Sequence, residues 1–182
     1  MKKKTIVVLS VITILAISFW WVFHYVSRDG EFTKWGHAYV PIDFFDDGKA
    51  IYIGNDFKWE GIGNPTLEKV EFFKRDGSIV AKDDDEFRIE PFIEKSNTNT
   101  IGIMDEESVK DQGLDKNLFP YEGFQIDKDF SLVLRVEFHG DNTDNDIREM
   151  LLTYKKYGVT QSQYIPFRNI FIHDDEGEDE DE

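Results

Sequence analysis

An uncharged apolar run near the N-terminus constrains this chain more than any other feature of its sequence. Between Thr5 and Val26 there is no Asp, Glu, Lys or Arg, and most residues are aliphatic or aromatic. A helix needs about 20 predominantly apolar residues to cross the hydrocarbon core of a bilayer. The run also lacks the polar face that a helix on the surface of a globular domain would show. The sequence therefore predicts a transmembrane helix over residues 5–26.

A cleaved signal peptide is the alternative to a permanent anchor, and it needs small residues in an Ala-x-Ala-like pattern at the cleavage site. The nearest candidate is Ala16-Ile17-Ser18. Cleavage there would leave the apolar residues Phe19-Trp20-Trp21 at the new terminus. We therefore favour an uncleaved anchor.

The charges that flank the run predict its orientation. Three Lys residues at positions 2–4 precede it, whereas Arg28 and Lys34 follow it among acidic residues. Lys and Arg are enriched on the cytoplasmic side of membrane helices. Residues 1–28 are thus predicted to form a cytoplasmic Lys cluster and an anchor in the cell membrane, with the remainder of the chain extracellular.

Composition limits what the remainder can be. The chain of 182 residues is 40% hydrophobic and 15% aromatic, which is enough for the core of one domain. It contains no Cys, and this excludes disulfide scaffolds, thiolate metal sites and cysteine nucleophiles. The formal net charge of −16 argues against nucleic acid as a partner, because nucleic-acid binding relies on clustered Lys and Arg.

The C-terminal segment 174–182 reads DDEGEDEDE. Such a run of like charges repels itself and cannot pack a core. We predict a disordered acidic tail there, after an extracytoplasmic domain at residues 29–173. A plain solubilising terminus is the favoured interpretation of this tail, ahead of a cation sink or an interaction segment.

Within the predicted domain the hydrophobic period is two. Leu132, Leu134, Val136 and Phe138 alternate with more polar residues, the pattern of a half-buried β-strand. Pro166 confines the last such segment to the edge of a sheet or a bulge. The other alternating sets are Ile51 and Ile53, Val70 and Phe72, Phe87 and Ile89, Met150, Leu152 and Tyr154, and Ile165 and Phe167.

Turn residues separate these segments. Asp47-Gly48 and Asp76-Gly77 predict two-residue hairpins of type I′, in which both central residues need positive φ. Tyr157-Gly158 predicts a third tight connection. Asp105 is placed to cap a short helix over residues 106–112, which Gly113 would end.

Seven to nine short strands with one helical connection predict an all-β fold, an antiparallel β-sandwich of the immunoglobulin-like kind. The Cys pair of antibody domains is absent, so the prediction concerns architecture and not membership of that family. The residues expected in the core are Leu134, Val136, Phe138, Leu152 and Tyr154.

Seven sequence blocks, read together, carry a resemblance. They are GIGNP at 61–65, KRDG at 74–77, RIEPFI at 88–93, IGIMDEE at 101–107, LVLRVEF at 132–138, TYKKYG at 153–158 and QYIPF at 163–167. This set resembles a group of small, membrane-anchored, exported proteins of low-GC Gram-positive bacteria. The resemblance covers nearly all of residues 1–170. It implies a localisation and an architecture, and it brings no catalytic residues.

Enzyme motifs are missing from the sequence, which contains no G-x-S-x-G, H-E-x-x-H, G-x-x-x-x-G-K-[ST] or S-x-x-K pattern. His139 and Glu137 fall on the same face of a predicted strand, as a metal or acid–base pair would require. Because Arg135 lies on that face too, we favour polar residues facing solvent. No cofactor is predicted.

Two acidic loops offer oxygen ligands of the kind that Ca²⁺ prefers. Carboxylates and Asn are equally typical of ordinary hairpin loops, and the second loop lacks the Gly and the distal Glu of a helix-loop-helix calcium site. The candidate metal ligands are Asp83, Asp84 and Asp85 in the first loop and Asp141, Asp144 and Asp146 in the second.

Aromatic residues at 35–39 and 57–59 have three interpretations, which are stacking on sugars of a wall polymer, contact with the membrane, and burial in the domain. Burial is favoured, because aromatic side chains usually belong to cores. The function expected from all these features is a non-catalytic binding or interaction module, anchored at the cell envelope, whose partner is an envelope protein or a wall polymer. The alternatives are a Ca²⁺-responsive envelope sensor and a carbohydrate-active enzyme with an unrecognised carboxylate pair.

Overall fold

The computed structural model describes residues 3–35, 39–95, 101–140, 143–167 and 170–171. The predicted acidic tail lies outside these residues. An N-terminal helix precedes two antiparallel β-sheets. In chain order the elements are α1 (Lys3–Arg28), β1 (Glu31–Trp35), a 3₁₀ helix (Ile42–Gly48), β2 (Ile51–Glu60), β3 (Thr66–Lys74), β4 (Phe87–Glu94), β5 (Ile103–Asp105), α2 (Glu106–Asp111), a second 3₁₀ helix (Leu114–Asn117), β6 (Leu118–Pro120), β7 (Asp129–Phe138), β8 (Ile147–Lys156) and β9 (Val159–Pro166).

The first helix confirms the predicted helical run and extends it by two residues at each end. Within the described part of the chain, α1 alone has the length and apolar composition to cross a membrane. Its small polar residues are compatible with hydrocarbon. The hydroxyls of Ser10 and Thr13 donate to backbone carbonyls one turn earlier, at 3.0 and 2.9 Å, and so do not need water.

The larger sheet has the strand order β1-β2-β7-β4-β6, with β5 paired to β2 beyond the end of β1. The smaller sheet has the order β3-β8-β9. All pairs between these strands are antiparallel. β9 is an edge strand, as Pro166 predicts, because proline cannot donate to a further neighbour.

Both sheets contribute to one hydrophobic core. The five residues predicted to lie in the core are all buried, and this confirms the alternation of buried residues predicted for β7 and β8. They are Leu134, Val136, Phe138, Leu152 and Tyr154. Aromatic clusters close the two ends of this core. Phe32, Trp59, Phe130 and Tyr154 pack at the end near α1, and Phe45, Phe87, Phe138 and Phe171 pack at the opposite end.

Side-chain and loop contacts connect the two sheets along their edges. The Gln163 amide oxygen accepts from the Phe32 N–H at 2.7 Å, and its NH₂ donates to the Phe32 carbonyl at 2.8 Å. One glutamine of β9 thereby substitutes for a strand neighbour of β1. On the other side, the segment 123–126 runs beside β3 and exchanges backbone hydrogen bonds with Leu67. These contacts occupy edge groups that would otherwise be free to pair with another chain.

Residues 101–118 form an insert that crosses the outer face of the larger sheet. The insert begins directly over Gly54, where any side chain is excluded because a Cβ would lie 1.7 Å from the Ile101 carbonyl oxygen. Asp105 caps α2 by accepting from the Ser108 N–H at 2.6 Å, as the sequence predicts. A second, smaller core lies beneath the insert and consists of Tyr52, Ile101, Val109, Leu114 and Val133.

One predicted hairpin is wrong. Asp47-Gly48 does not join two strands, because residues 42–48 form a 3₁₀ helix that leads into β2. The helix turns the Phe45 ring into the core, where it packs against Phe138 and Phe171 with ring centroids 6.2 and 5.5 Å apart. Burial of this ring outweighs the local turn preference of the Asp-Gly pair.

The other two turns form at the predicted positions. At Asp76-Gly77 only the glycine has positive φ, so the turn is not of type I′. The Gly77 N–H donates to the Lys74 carbonyl and the Lys74 N–H to the Ser78 carbonyl, the pattern of a type I turn with a bulge at glycine. At Tyr157-Gly158 both residues have positive φ, 50° and 82°, as type I′ requires.

Candidate functional site

The insert divides the outer face of the larger sheet into two concavities. Alternate residues of β7 point to this face, and the insert covers the middle one of them, Val133. On one side lies a concavity of about 520 Å³, lined by Trp35, Asp56, Lys58, Glu94, Lys128, Asp129 and Ser131 with Phe57 and Phe130, which we call the Trp35 concavity. On the other side lies one of about 460 Å³, lined mainly by Lys49, Asp105, Glu106, Lys110, Arg135 and Glu137, which we call the Arg135 concavity.

A single cross-strand row forms the base of the Trp35 concavity. Trp35 of β1 is registered with Asp56 of β2, and Asp56 is registered with Ser131 of β7. Ser131 is in turn registered with Glu94 of β4. Registered residues point to the same face of a sheet, so four adjacent strands present an indole, a carboxylate, a hydroxyl and a second carboxyl group in one line.

Glu94 is the most buried polar residue in this row, with 5% of its surface exposed. Its carboxyl oxygens accept from the Ile101 N–H at 3.1 and 3.3 Å, which ties the insert to the sheet. Burial raises the pKa of Glu94, and the negative charge of Asp56 raises it further, against the opposing hydrogen bond from Ile101. Glu94 therefore holds a proton more readily than an exposed glutamate.

Asp56 and Trp35 are the exposed residues of this row, and Lys58 Nζ lies 5.8 Å from the centroid of the Trp35 ring. The Ser131 hydroxyl donates to Asp56, and in the described part of the chain neither Asp56 nor Glu94 has a cation within ion-pair distance. Lys58 pairs instead with Glu60 at 2.6 Å. The Trp35 side chain is 60% exposed, so the burial predicted for the aromatic segments is wrong at this residue. Phe57 and Trp59 are buried as predicted.

An ion-pair network centred on Arg135 occupies the Arg135 concavity. The Arg135 guanidinium lies 2.7 Å from Glu137 and 3.4 Å from Glu106. Burial alone would raise the pKa of Glu137, but the hydrogen bond and charge of Arg135, with His139 and Arg88, hold it below its ordinary value. The paired Glu137 and His139, 3.5 Å apart, belong to this ion-pair network on the outer face.

The first acidic loop is organised around a buried lysine. Lys74 Nζ lies 2.9 Å from Asp84 and 2.8 Å from Glu86. Asp84 also accepts from the backbone N–H groups of Glu86 and Phe87, at 3.0 and 2.9 Å. The side chains of the other two metal candidates in this loop, Asp83 and Asp85, are exposed.

The second acidic loop uses its last aspartate to hold the chain that follows β9. Asp146 is fully buried, and its carboxylate accepts from the backbone N–H groups of Ile170 and Phe171 at 2.6 and 2.8 Å. Asp144 is exposed, and Asp141 lies outside the described residues. Among the residues that the structure describes, no group of three or more His, Asp or Glu side chains is arranged to hold a metal ion.

The sequence does not predict that Asp56 and Glu94 lie in the same cross-strand row. The two residues are far apart in the chain and meet because β7 lies between β2 and β4. Each is one of many acids in the sequence, so only the strand register could have singled them out. Comparisons of the chain with protein-family models, with curated proteins and with solved structures found no match.

Proposed function

We propose that the chain is a membrane-anchored, non-catalytic binding module at the cell envelope, with its β-domain outside the cytoplasm. Support for the anchor comes from α1, which has the length and composition to span a bilayer. Support for the orientation comes from the Lys residues at positions 2–4. The group of exported Gram-positive proteins that the sequence blocks resemble has the same arrangement.

We also propose an immunoglobulin-like topology for the domain. In constant-type immunoglobulin domains the sheets have the orders A-B-E-D and C-F-G. When strands β1, β2, β3 and β4 are equated with A to D and β7, β8 and β9 with E to G, both orders are reproduced. The insert then lies between the equivalents of strands D and E, and separates the two concavities on the outer face of the larger sheet.

The exposed Trp35 at the end of the polar row carries the proposal for the ligand. Small-molecule and saccharide sites combine an aromatic platform with a few polar groups that fix orientation. Trp35 supplies the platform, and the oxygens of Asp56, Ser131 and Glu94 are hydrogen-bond acceptors for hydroxyl groups. A hydroxyl-rich wall polymer matches this arrangement and is the ligand that we propose.

Binding of soluble wall-polysaccharide fragments to the full chain in lipid nanodiscs tests this function. Trp35→Ala should weaken binding at least about tenfold, equivalent to about 1.4 kcal/mol. The matched control is Tyr164→Ala, because Tyr164 is 58% exposed and lies on β9 of the smaller sheet. Equal affinity of both variants and the unchanged chain would refute the site, and no binding by the unchanged chain would refute the ligand.

Protease added to intact cells tests the orientation separately. The β-domain should be degraded from outside while the N-terminal segment is protected. Protection of the β-domain would place it in the cytoplasm, and a mature chain that begins after Ser18 would replace the anchor with a cleaved signal.

The flanking of Ser131 by two carboxyl groups favours a second candidate, a carbohydrate-active enzyme. Asp56 and Glu94 lie on strands two positions apart in the sheet, so their backbones are separated by about 10 Å. Glycoside hydrolases use two carboxyl groups across a cleft, of which the acid has a raised pKa, and Glu94 meets that condition. Release of reducing ends from wall polysaccharide that stops in Glu94→Gln would establish the enzyme, whereas binding without release supports the module.

A further inference from the structure

Two residues, Asp29 and Gly30, separate the end of α1 from the first strand. Hydrogen bonds fix this junction to the domain. The Gln161 amide donates to the Ser27 carbonyl at 2.9 Å, and the Ile62 N–H donates to the Asp29 carboxylate at 3.0 Å. The buried Lys156 ammonium donates to the Asp29 carbonyl. The helix therefore does not end in a free linker, and the loops that hold it are fixed close to its end.

Two of these loops form one surface, which we call the rim. It consists of the β2–β3 loop at residues 61–65 and the β8–β9 turn at residues 157–158. The loops are in contact, because a Cβ on Gly63 would lie 2.3 Å from the Tyr157 hydroxyl oxygen. Each loop exposes an apolar or aromatic side chain, Ile62 at 49% and Tyr157 at 52%.

The level of the rim relative to a bilayer follows from α1. Trp20, Trp21 and Tyr25 lie near the end of the helix, and such rings prefer the headgroup level. Asp29, the partner of Ile62, is four residues beyond Tyr25 and so about 6 Å further along the helix axis. The headgroup region on each side of the hydrocarbon is about 5–7 Å thick. A bilayer whose headgroups lie at the level of Tyr25 would therefore reach the rim.

We propose that the rim is a lipid-contacting surface, with Ile62 and Tyr157 lying in the headgroup layer of the bilayer that α1 spans. This inference rests on the membrane anchor proposed above. Lipid is the occupant that the geometry favours, because hydrogen bonds from Ile62, Lys156 and Gln161 hold the rim and its flanking strands against the end of α1. A Tyr ring with one apolar body and one polar tip is also the kind of side chain found at membrane interfaces.

The absence of Cys from the sequence allows a clean test by single spin labels in the full chain, reconstituted into vesicles of phosphatidylcholine and phosphatidylglycerol. One label replaces Ile62 and a second replaces Asn64 in the same loop. The matched control is Ile79, which is also 49% exposed but lies beyond the far end of β3, about 25 Å away along the strand. A label at Ile14 reports on the helix itself.

We expect labels at 62 and 64 to be at least about fivefold less accessible than the label at 79 to a water-soluble nickel relaxer, and more accessible to oxygen dissolved in the bilayer. A label at 62 that matches the one at 79, while the label at 14 is shielded, overturns the rim proposal and leaves the anchor intact. A label at 14 that is open to the aqueous relaxer overturns the anchor, and the rim proposal with it.

Discussion

The Trp35 and Arg135 concavities lie on the same sheet face, on either side of the same insert, and share strand β7. Three residues of β7 separate Ser131, in the base of one, from Arg135, in the base of the other. In the Arg135 concavity a central guanidinium pairs with Glu106 and Glu137. In the Trp35 concavity two acids face each other across a hydroxyl and an exposed indole lies at the end of the row.

This difference shows that one strand, β7, contributes both to a stabilising ion-pair network and to the proposed ligand site. Matched charges contribute to stability, because each partner removes the cost of leaving the other buried and alone. A buried acid without a cation, such as Glu94, lowers stability at neutral pH, and groups of this kind cluster at functional sites. The two concavities therefore make opposite predictions for substitution of their charged groups.

The largest expected effect concerns the core beneath both concavities. Leu134→Ala removes a fully buried side chain of β7 and should lower the free energy of unfolding by about 2–5 kcal/mol. Urea unfolding of the β-domain in the full chain measures it. The neighbouring Val133→Ala, which faces the insert, deletes two methyl groups and should cost only about 1.6 kcal/mol. A negligible loss for Leu134→Ala would show that β7 does not form the core.

Arg135→Met tests the charge balance of the Arg135 concavity. Without the guanidinium, Glu137 and Glu106 remain partly buried with a missing partner, which should cost about 1–3 kcal/mol at pH 7. Adding Glu137→Gln to the same variant should recover part of that loss, since it removes a charge that has lost its nearest partner. The comparison between the concavities would fail if Arg135→Met were as stable as the unchanged chain in urea unfolding.

Glu94→Gln should change stability at neutral pH in the opposite direction from Arg135→Met, and so should raise the free energy of unfolding. Because the folded-state pKa of Glu94 is raised, its contribution to stability is fully present below the unfolded pKa and is lost as the pH rises through the folded pKa. The glutamine variant cannot titrate, so its stability relative to the unchanged chain should increase as the pH rises through that window. Urea midpoints for both proteins between about pH 4 and pH 8 measure the difference.

Glu137 provides the contrast for that experiment. Its folded-state pKa is lowered, so its contribution is present above the unfolded pKa and is lost as the pH falls through the folded pKa. Glu137→Gln should therefore lose stability, relative to the unchanged chain, as the pH rises from acid to neutral. If the stability of both glutamine variants, relative to the unchanged chain, changed with pH in the same direction, the proposed distinction between the concavities would be wrong.

Trp35→Ala should have the smallest effect on stability. Its side chain is mostly exposed, and surface substitutions of this kind usually change the free energy of unfolding by less than about 0.5 kcal/mol. The same substitution should abolish most ligand binding in the Trp35 concavity. A large loss of stability would mean that the indole holds β1 in place and is not reserved for a ligand.

Local patterns predicted the elements whose residues interact with near neighbours. The uncharged run predicts α1, the alternation in β7 and β8 predicts their buried faces, and Asp105 predicts the cap of α2. Local patterns failed where a distant contact decides the structure. Asp47-Gly48 has the chemistry of a hairpin, yet burial of Phe45 against residues from the end of the chain turns the segment into a 3₁₀ helix.

The acidic residues show the same limit. As sequence, the loop at 83–86 resembles a set of metal ligands, but two of its acids pair with Lys74, which precedes them on another strand. Asp56 and Glu94 look unremarkable in the sequence and become neighbours only through the order of β2, β7 and β4. Strand order depends on contacts throughout the domain, so it cannot be predicted from a local pattern of charged residues.

If α1 is the membrane anchor proposed above, its short junction with β1 sets the distance from the bilayer at which the domain can bind the proposed ligand. Trp35 ends the strand that begins at Glu31, so at most about 14 Å of extended backbone separates it from the end of the domain next to α1. A long flexible stalk would let the domain sweep a large volume of the wall. With the proposed anchor, the concavity would stay at one height above the bilayer. It would meet the proposed ligand by lateral diffusion of the whole molecule, and only in the polymer layer next to the bilayer.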